Sequence, residues 1–176
     1  MLLRMQNKRA QIWISAVIYT LVGLTAIGLL LAIVQPRIQE IRDSITIKQT
    51  IEALHNFDSS LRSTLIAPGN KRNVEFKLSA GKLEIKPEQN LVVWTMESAN
   101  KFSEPGIVTR EGTIYILTEK GKPWIVNLTL DYNEIADITS DTKTLSKSEK
   151  PYVISIENLG STGSNEQQVN INVVQS

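Results

Sequence analysis

No charged residue interrupts the chain from Ile12 to Val34, and most of that run is aliphatic. At about 1.5 Å per residue, a helix over this run is roughly 34 Å long, enough to cross the roughly 30 Å hydrocarbon core of a bilayer. The rest of the chain is polar and patterned for strands. The layout therefore predicts a domain held to a membrane by its N-terminal end.

The flanks give the orientation. Arg4, Lys8 and Arg9 precede the run with no acidic residue among them, whereas Arg37 and Arg42 behind it are offset by Glu40 and Asp43. The bias of basic residues toward the cytoplasmic side predicts a cytoplasmic leader and an extracytoplasmic remainder, residues 36–176. A cleaved secretory signal fits poorly, because its apolar region is about 7–15 residues and ends in small residues. Here the run ends Ala32-Ile33-Val34-Gln35-Pro36. Any cut is expected before the apolar run instead.

A basic pair, Lys8-Arg9, then small Ala10, then Gln11 and an intact hydrophobic helix resembles the class III (prepilin-type) signal peptide of archaeal type IV pilins and pilin-like proteins. The resemblance covers about residues 8–36 and the general order of long helix, then β-domain. It implies cleavage by a membrane-embedded prepilin-type peptidase between Ala10 and Gln11, with the helix retained as anchor and filament core. Many members of that family carry Glu at the fifth mature position, where it is thought to meet the N-terminal amine of a neighbouring subunit. This chain has Ser15 there. The resemblance accordingly implies a minor pilin or pseudopilin, with other pilin-like subunits as partners through the N-terminal helix.

Within the span, Ala16 and Thr20 are four apart, as are Gly28 and Ala32, with Gly23 between the pairs. Small residues at that spacing allow close helix approach in lipid, although Gly and Ala are also simply common in membrane helices. Trp13 reads as an anchor at the cytoplasmic interface.

Pro36 either kinks the helix or opens a new one. Beyond it, spacing at about 100° per residue puts Val34, Ile38, Ile41 and Ile45 on one side and Ile47, Ile51, Leu54, Leu61 and Leu65 on nearly the opposite side. Two opposed stripes in series suit two partners, the later stripe meeting the chain's own β-domain and the earlier one neighbouring helices. A helix break near Ser44 is the alternative.

After Ala67-Pro68-Gly69-Asn70 the apolar period changes to two. Strands are expected around Val74–Leu78, Leu83–Ile85, Leu91–Met96, Thr113–Thr118, Trp124–Tyr132, Tyr152–Glu157 and Val169–Val174. Thr139–Lys150 reads as a long loop, and Leu159–Gln167 as a flexible connection. The expected fold is α+β: basic leader 1–10, transmembrane helix 11–35, amphipathic helical stalk 36–66, and a β-rich domain 67–176 built as an antiparallel sheet or small sandwich.

The leader holds three of the nineteen basic residues and none of the eighteen acids, leaving the remainder at −2. A near-neutral ectodomain of about 140 residues is large enough for a real core and lacks the concentrated basic face that nucleic-acid binding needs. With no cysteine, disulfides, thiolate metal sites and a Cys nucleophile are excluded.

Signals for catalysis are weak, and no cofactor is expected. The one histidine, His55, falls on the flank of the second helical stripe. Gly160-Ser161-Thr162-Gly163 lies between strands rather than before a helix, which suits neither a nucleophile elbow nor a phosphate loop. Asp131, Glu134, Asp137 and Asp141 could gather oxygen ligands, but their spacing is not that of a known calcium loop. Asn127-Leu128-Thr129 forms an N-glycosylation sequon on the longest strand. Three readings follow: a pilin-like surface protein in filament or surface-complex assembly or adhesion, an uncleaved signal-anchored binding module, and, least supported, an anchored enzyme.

Overall fold

The computed structural model describes residues 8–161 and 167–175, with side chains from 13–161 and 167–174. One helix, α1 (Lys8–Thr64), precedes all the strands. Pro36 lies inside it and opens no second helix. Proline removes one N–H and crowds one carbonyl, which a helix of this length outlasts. Nor does α1 break near Ser44. By internal contacts the chain divides between Gln39 and Glu40.

The unit from Glu40 onward contains the last part of α1 and two sheets. Six strands form one sheet in the order β4 (Val108–Glu111), β5 (Ile114–Glu119), β6 (Trp124–Asp131), β3 (Leu91–Ser98), β2 (Lys82–Lys86) and β8 (Thr144–Ser146). Four form the other, in the order β1 (Lys71–Phe76), β9 (Tyr152–Ser161), β10 (Gln167–Gln175) and β7 (Ala136–Thr139). Among the described residues all the strand pairs are antiparallel except β7 with β10.

Alternation explains the six-stranded sheet. On β3, Val92, Trp94 and Met96 face inward; on β6, Val126, Leu128 and Leu130; on β5, Ile114 and Ile116. These side chains, Phe76, Ile154, Ile156, Val169 and Ile171 of the second sheet, and Ile47, Ile51, Leu54, Phe57 and Leu61 of α1 form one core. Its helix residues are each 3% exposed or less. The pleat's period of two and the helix's 3.6 bring apolar faces from three elements to one place.

Local chemistry sets the joints. Asn90 adopts a left-handed conformation (φ 51°) after the 3-10 turn Pro87–Gln89. Its Oδ1 accepts the N–H of Ile138 at 2.9 Å and its carbonyl accepts that of Tyr132, also at 2.9 Å. The chain thus leaves β6 through Tyr132–Ile135 and enters the other sheet as β7. In the β4–β5 hairpin, Glu111 opposes Ile114, and Gly112 (φ 58°) fills the tight turn. A Cβ at Gly112 would come within 2.6 Å of the His55 ring.

The α+β architecture agrees with the sequence pattern, while several details differ. The segment read as a long loop, Thr139–Lys150, contains β8, and β4 and β7 are further strands that short polar patterns concealed. The strand pairing is not wholly antiparallel. Of the connection read at Leu159–Gln167, Leu159–Ser161 extends β9 and Gln167 begins β10; the residues between them lie outside the described residues.

Candidate functional site

The N-terminal unit presents its apolar residues outward. Every described side chain from Trp13 to Val34 is exposed, with large hydrophobics from Val34 at 45% to Trp13 and Tyr19 at 76%. Among the described residues one helix, near the N-terminus, is long and apolar enough to cross a membrane. Two of its hydroxyls bond back to the helix: Thr20 Oγ1 donates to the Val17 carbonyl at 2.9 Å and Thr25 Oγ1 to that of Leu21 at 2.8 Å. A hydroxyl bonded back to its own helix exposes less unpaired polarity to lipid.

Ala10 and Gln11 lie in the first turns of α1; their side chains lie outside the described residues, as do residues 1–7 of the leader altogether. Ser15 is exposed on the helix. Added Cβ atoms at Gly23 and Gly28 would meet nothing within 4 Å, so neither glycine is required by the packing of this chain on itself.

In the second unit, the apolar residues of α1 pass from exposed to buried within a few positions. Ile41 and Ile45 are 60% and 50% exposed, whereas Ile47 is fully buried. Asp43 begins the inward face: it is 7% exposed, and its Oδ2 accepts the N–H of Ala99, just after β3, at 2.7 Å. Positions 43, 47, 50, 51, 54, 57, 58 and 61 then continue inward with helical spacing. The fate of the later stripe matches the sequence expectation, with Leu65 partly buried against the core.

Two polar centres fasten this helix, and neither was legible in the sequence. Asp58, 5% exposed, receives Arg62 Nε at 3.0 and 3.1 Å on its two oxygens and the Thr113 hydroxyl at 2.9 Å. The Tyr132 hydroxyl is buried with no partner in hydrogen-bond geometry. Burial, and then the charge of Asp58, hold the phenol well above its ordinary range.

Asn158 on β9 is the second centre, with no exposed surface. Its Nδ2 donates to the carbonyls of Thr64 and Ala67 at 3.0 and 3.2 Å and to Gln167 Oε1 at 2.9 Å; Oδ1 accepts from Gly160 N–H at 2.8 Å. Two amide hydrogens serve three acceptors, so one is shared. Helix C-terminal carbonyls lack intrahelical donors, and a residue more than ninety positions away supplies one.

The remaining candidates separate in space. His55 packs at the β4–β5 turn, as a boundary residue of the helix. Asp131 Oδ1 accepts from the backbone and side-chain nitrogens of Asn133 at 3.0 and 2.9 Å, and the Asp141 N–H donates to Asn172 Oδ1 at 3.3 Å. Among the described residues no three His, Cys, Asp or Glu side chains come together as a metal site. A polar cleft of about 360 Å³ is lined by Arg62, Arg110, Tyr115 and Glu134, but its cations are engaged within the fold. Arg62 holds Asp58, and Arg110 donates to the Gly112 carbonyl at 2.8 Å while lying 5.2 Å over the Tyr115 ring. Asn127 lies on the outward face of β6.

No family model matches this chain, and no curated protein or solved structure matches it either.

Proposed function

We propose that this chain is a pilin-like, membrane-anchored surface protein, a minor pilin or pseudopilin acting in the assembly of a filament or surface complex or in adhesion. The observation that carries the reading is the division of α1. Its far end is locked into a β-rich core, while Ile41, Ile45 and the whole apolar run before them are left uncovered. A helix that only tethered a domain would need no exposed isoleucines beyond the membrane-length run. Such a helix suits lateral packing against lipid and against helices of like subunits.

In this reading a prepilin-type peptidase cuts between Ala10 and Gln11 and the N-terminus faces the cytoplasm. The β-domain stands outside the cell, with close helix approach at Gly23 and Gly28. The protein is not an enzyme and binds no nucleic acid. Ser15, in place of the acidic residue common in major pilins, makes it an accessory subunit rather than the bulk of a filament.

A second reading, an uncleaved signal-anchored binding module, draws on Ser15 and on the open outer face of the six-stranded sheet. Mass spectrometry of the N-terminus of protein from native membranes separates the two. A mature chain starting at Gln11 is expected for the pilin-like protein; a chain that keeps Arg4 and Lys8 overturns it in favour of the anchored module.

A further inference from the structure

The outward face of the six-stranded sheet carries a row of side chains set by register: Thr95 on β3 opposes Asn127 on β6, which opposes Leu117 on β5, which opposes Val108 on β4. The next row runs Val93, Thr129, Tyr115 and Arg110. All of these but Arg110, together with Leu91, Glu84, Lys86 and Asp131, line a shallow concavity of about 450 Å³ in which Leu91, Val93, Val108, Tyr115 and Leu117 are partly or fully exposed. Among these apolar side chains stand Asn127 and Thr129, the two specifying residues of the sequon.

We infer that Asn127 is an N-glycosylation acceptor and that its glycan covers this face of the sheet. The amide is set up for it. Thr95 Oγ1 donates to Asn127 Oδ1 at 2.8 Å, which fixes the carbonyl toward β3. Nδ2, the atom that would carry the sugar, makes no hydrogen bond to the described residues. A glycosylated amide keeps its carbonyl, so the Thr95 bond survives modification. Sugars present both hydroxyls and apolar ring faces, which suits a surface that mixes Thr95, Asn127 and Thr129 with Val93, Leu117 and Tyr115.

The chemistry is a transfer without redox change. Asn127 Nδ2 forms a bond to C1 of a saccharide carried on a lipid phosphate or pyrophosphate. The C1–O bond to phosphate breaks, the lipid phosphate departs with that electron pair, and Nδ2 loses one proton. Both backbone edges of Asn127 are paired in the finished sheet, with β3 and with β5. A transferase must therefore engage the sequon before β6 closes between them.

The inference rests on the extracytoplasmic location that both functional readings share, and it is independent of pilin-type cleavage. Its test is mass spectrometry of the tryptic peptide spanning residues 121–143 from the full-length protein in native membranes, with the N-terminal peptide read in the same sample. A saccharide mass on Asn127 is expected, abolished in Thr129→Val and retained in Thr129→Ser. Recovery of this peptide only at its unmodified mass overturns the inference, even where the chain begins at Gln11. Modified Asn127 on a chain retaining Arg4 upholds it while removing the pilin-like reading. For the covering role, the unmodified Thr129→Val protein should bind an apolar fluorescent dye several-fold more than the modified protein; equal dye binding overturns that part.

Discussion

Ile41 and Ile45 stand on the same helix as Ile47 and Ile51, a turn or two away, yet the first pair is 60% and 50% exposed and the second 0% and 3%. Residue type and helix propensity are identical. What differs is phase: from Ile45 to Ile47 the side chain swings by about 200° at about 100° per residue. Asp43, tied to Ala99, marks where the inward face begins. An apolar residue on this helix is a core residue or a contact residue according to its angle, and hydrophobicity alone does not distinguish the two.

The sharpest break of that comparison comes from truncating the buried side. Phe57→Ala should cost about 3–5 kcal/mol, the range for emptying a well-packed aromatic site, read as a lowered denaturant midpoint of the full chain in detergent. Asn158→Ala is expected to cost about 3 kcal/mol, because it strips the donor from the Thr64 and Ala67 carbonyls at about 1–3 kcal/mol per unsatisfied group. Asn158→Asp should not rescue it, since a carboxylate donates nothing to those carbonyls.

Tyr132→Phe should change stability by less than about 1 kcal/mol at pH 7, because the hydroxyl it removes has no partner. Its effect appears in alkali. The folded phenol is raised above its unfolded value of about 10. Its contribution is therefore full below that value and is lost progressively from there toward the raised folded value, because over that window only the unfolded chain ionises. The wild-type protein should therefore lose stability progressively above about pH 10, where the free phenol ionises, and Tyr132→Phe should lose less. Identical alkaline profiles would refute this.

The smallest effect on folding belongs to the exposed side. Ile41→Ser and Ile45→Ser should each shift stability by no more than about 0.5 kcal/mol. Cysteine placed at position 41 should nevertheless crosslink between subunits in native membranes, while cysteine at position 51 should not. Equal crosslinking at the two sites would dissolve the distinction between the faces.

The long helix, its two stripes and the strands with clean alternation were legible because each is a local pattern. The period of two on β3 and β6 and the spacing from Ile47 to Leu61 report burial directly. β4, with all four residues exposed, and the three-residue β8 carry too few alternating apolar residues to register. β7 is a strand because Asn90 and β10 pair with it, and partners forty-eight and about thirty residues away leave no local trace. The site divides the same way. The sequon and the exposed stripe were visible, but the Asp58 and Asn158 centres were not, since a lone Asp on a helix and a lone Asn on a strand resemble surface residues.

By itself, the sequence determined a membrane-length apolar helix, an amphipathic continuation whose apolar face turns over near Ile45, and a β-rich remainder without disulfides. Those properties follow from composition and periodicity, which act over a few neighbouring residues. Only the tertiary structure decided that the remainder forms two sheets sharing one core with the helix, and that Asn158 closes the helix end. It also decided that Asn127 stands at the middle of an open sheet face. Such features arise where distant segments meet, and the free energy of burying a polar group with its partner depends on a partner that no local stretch of sequence contains.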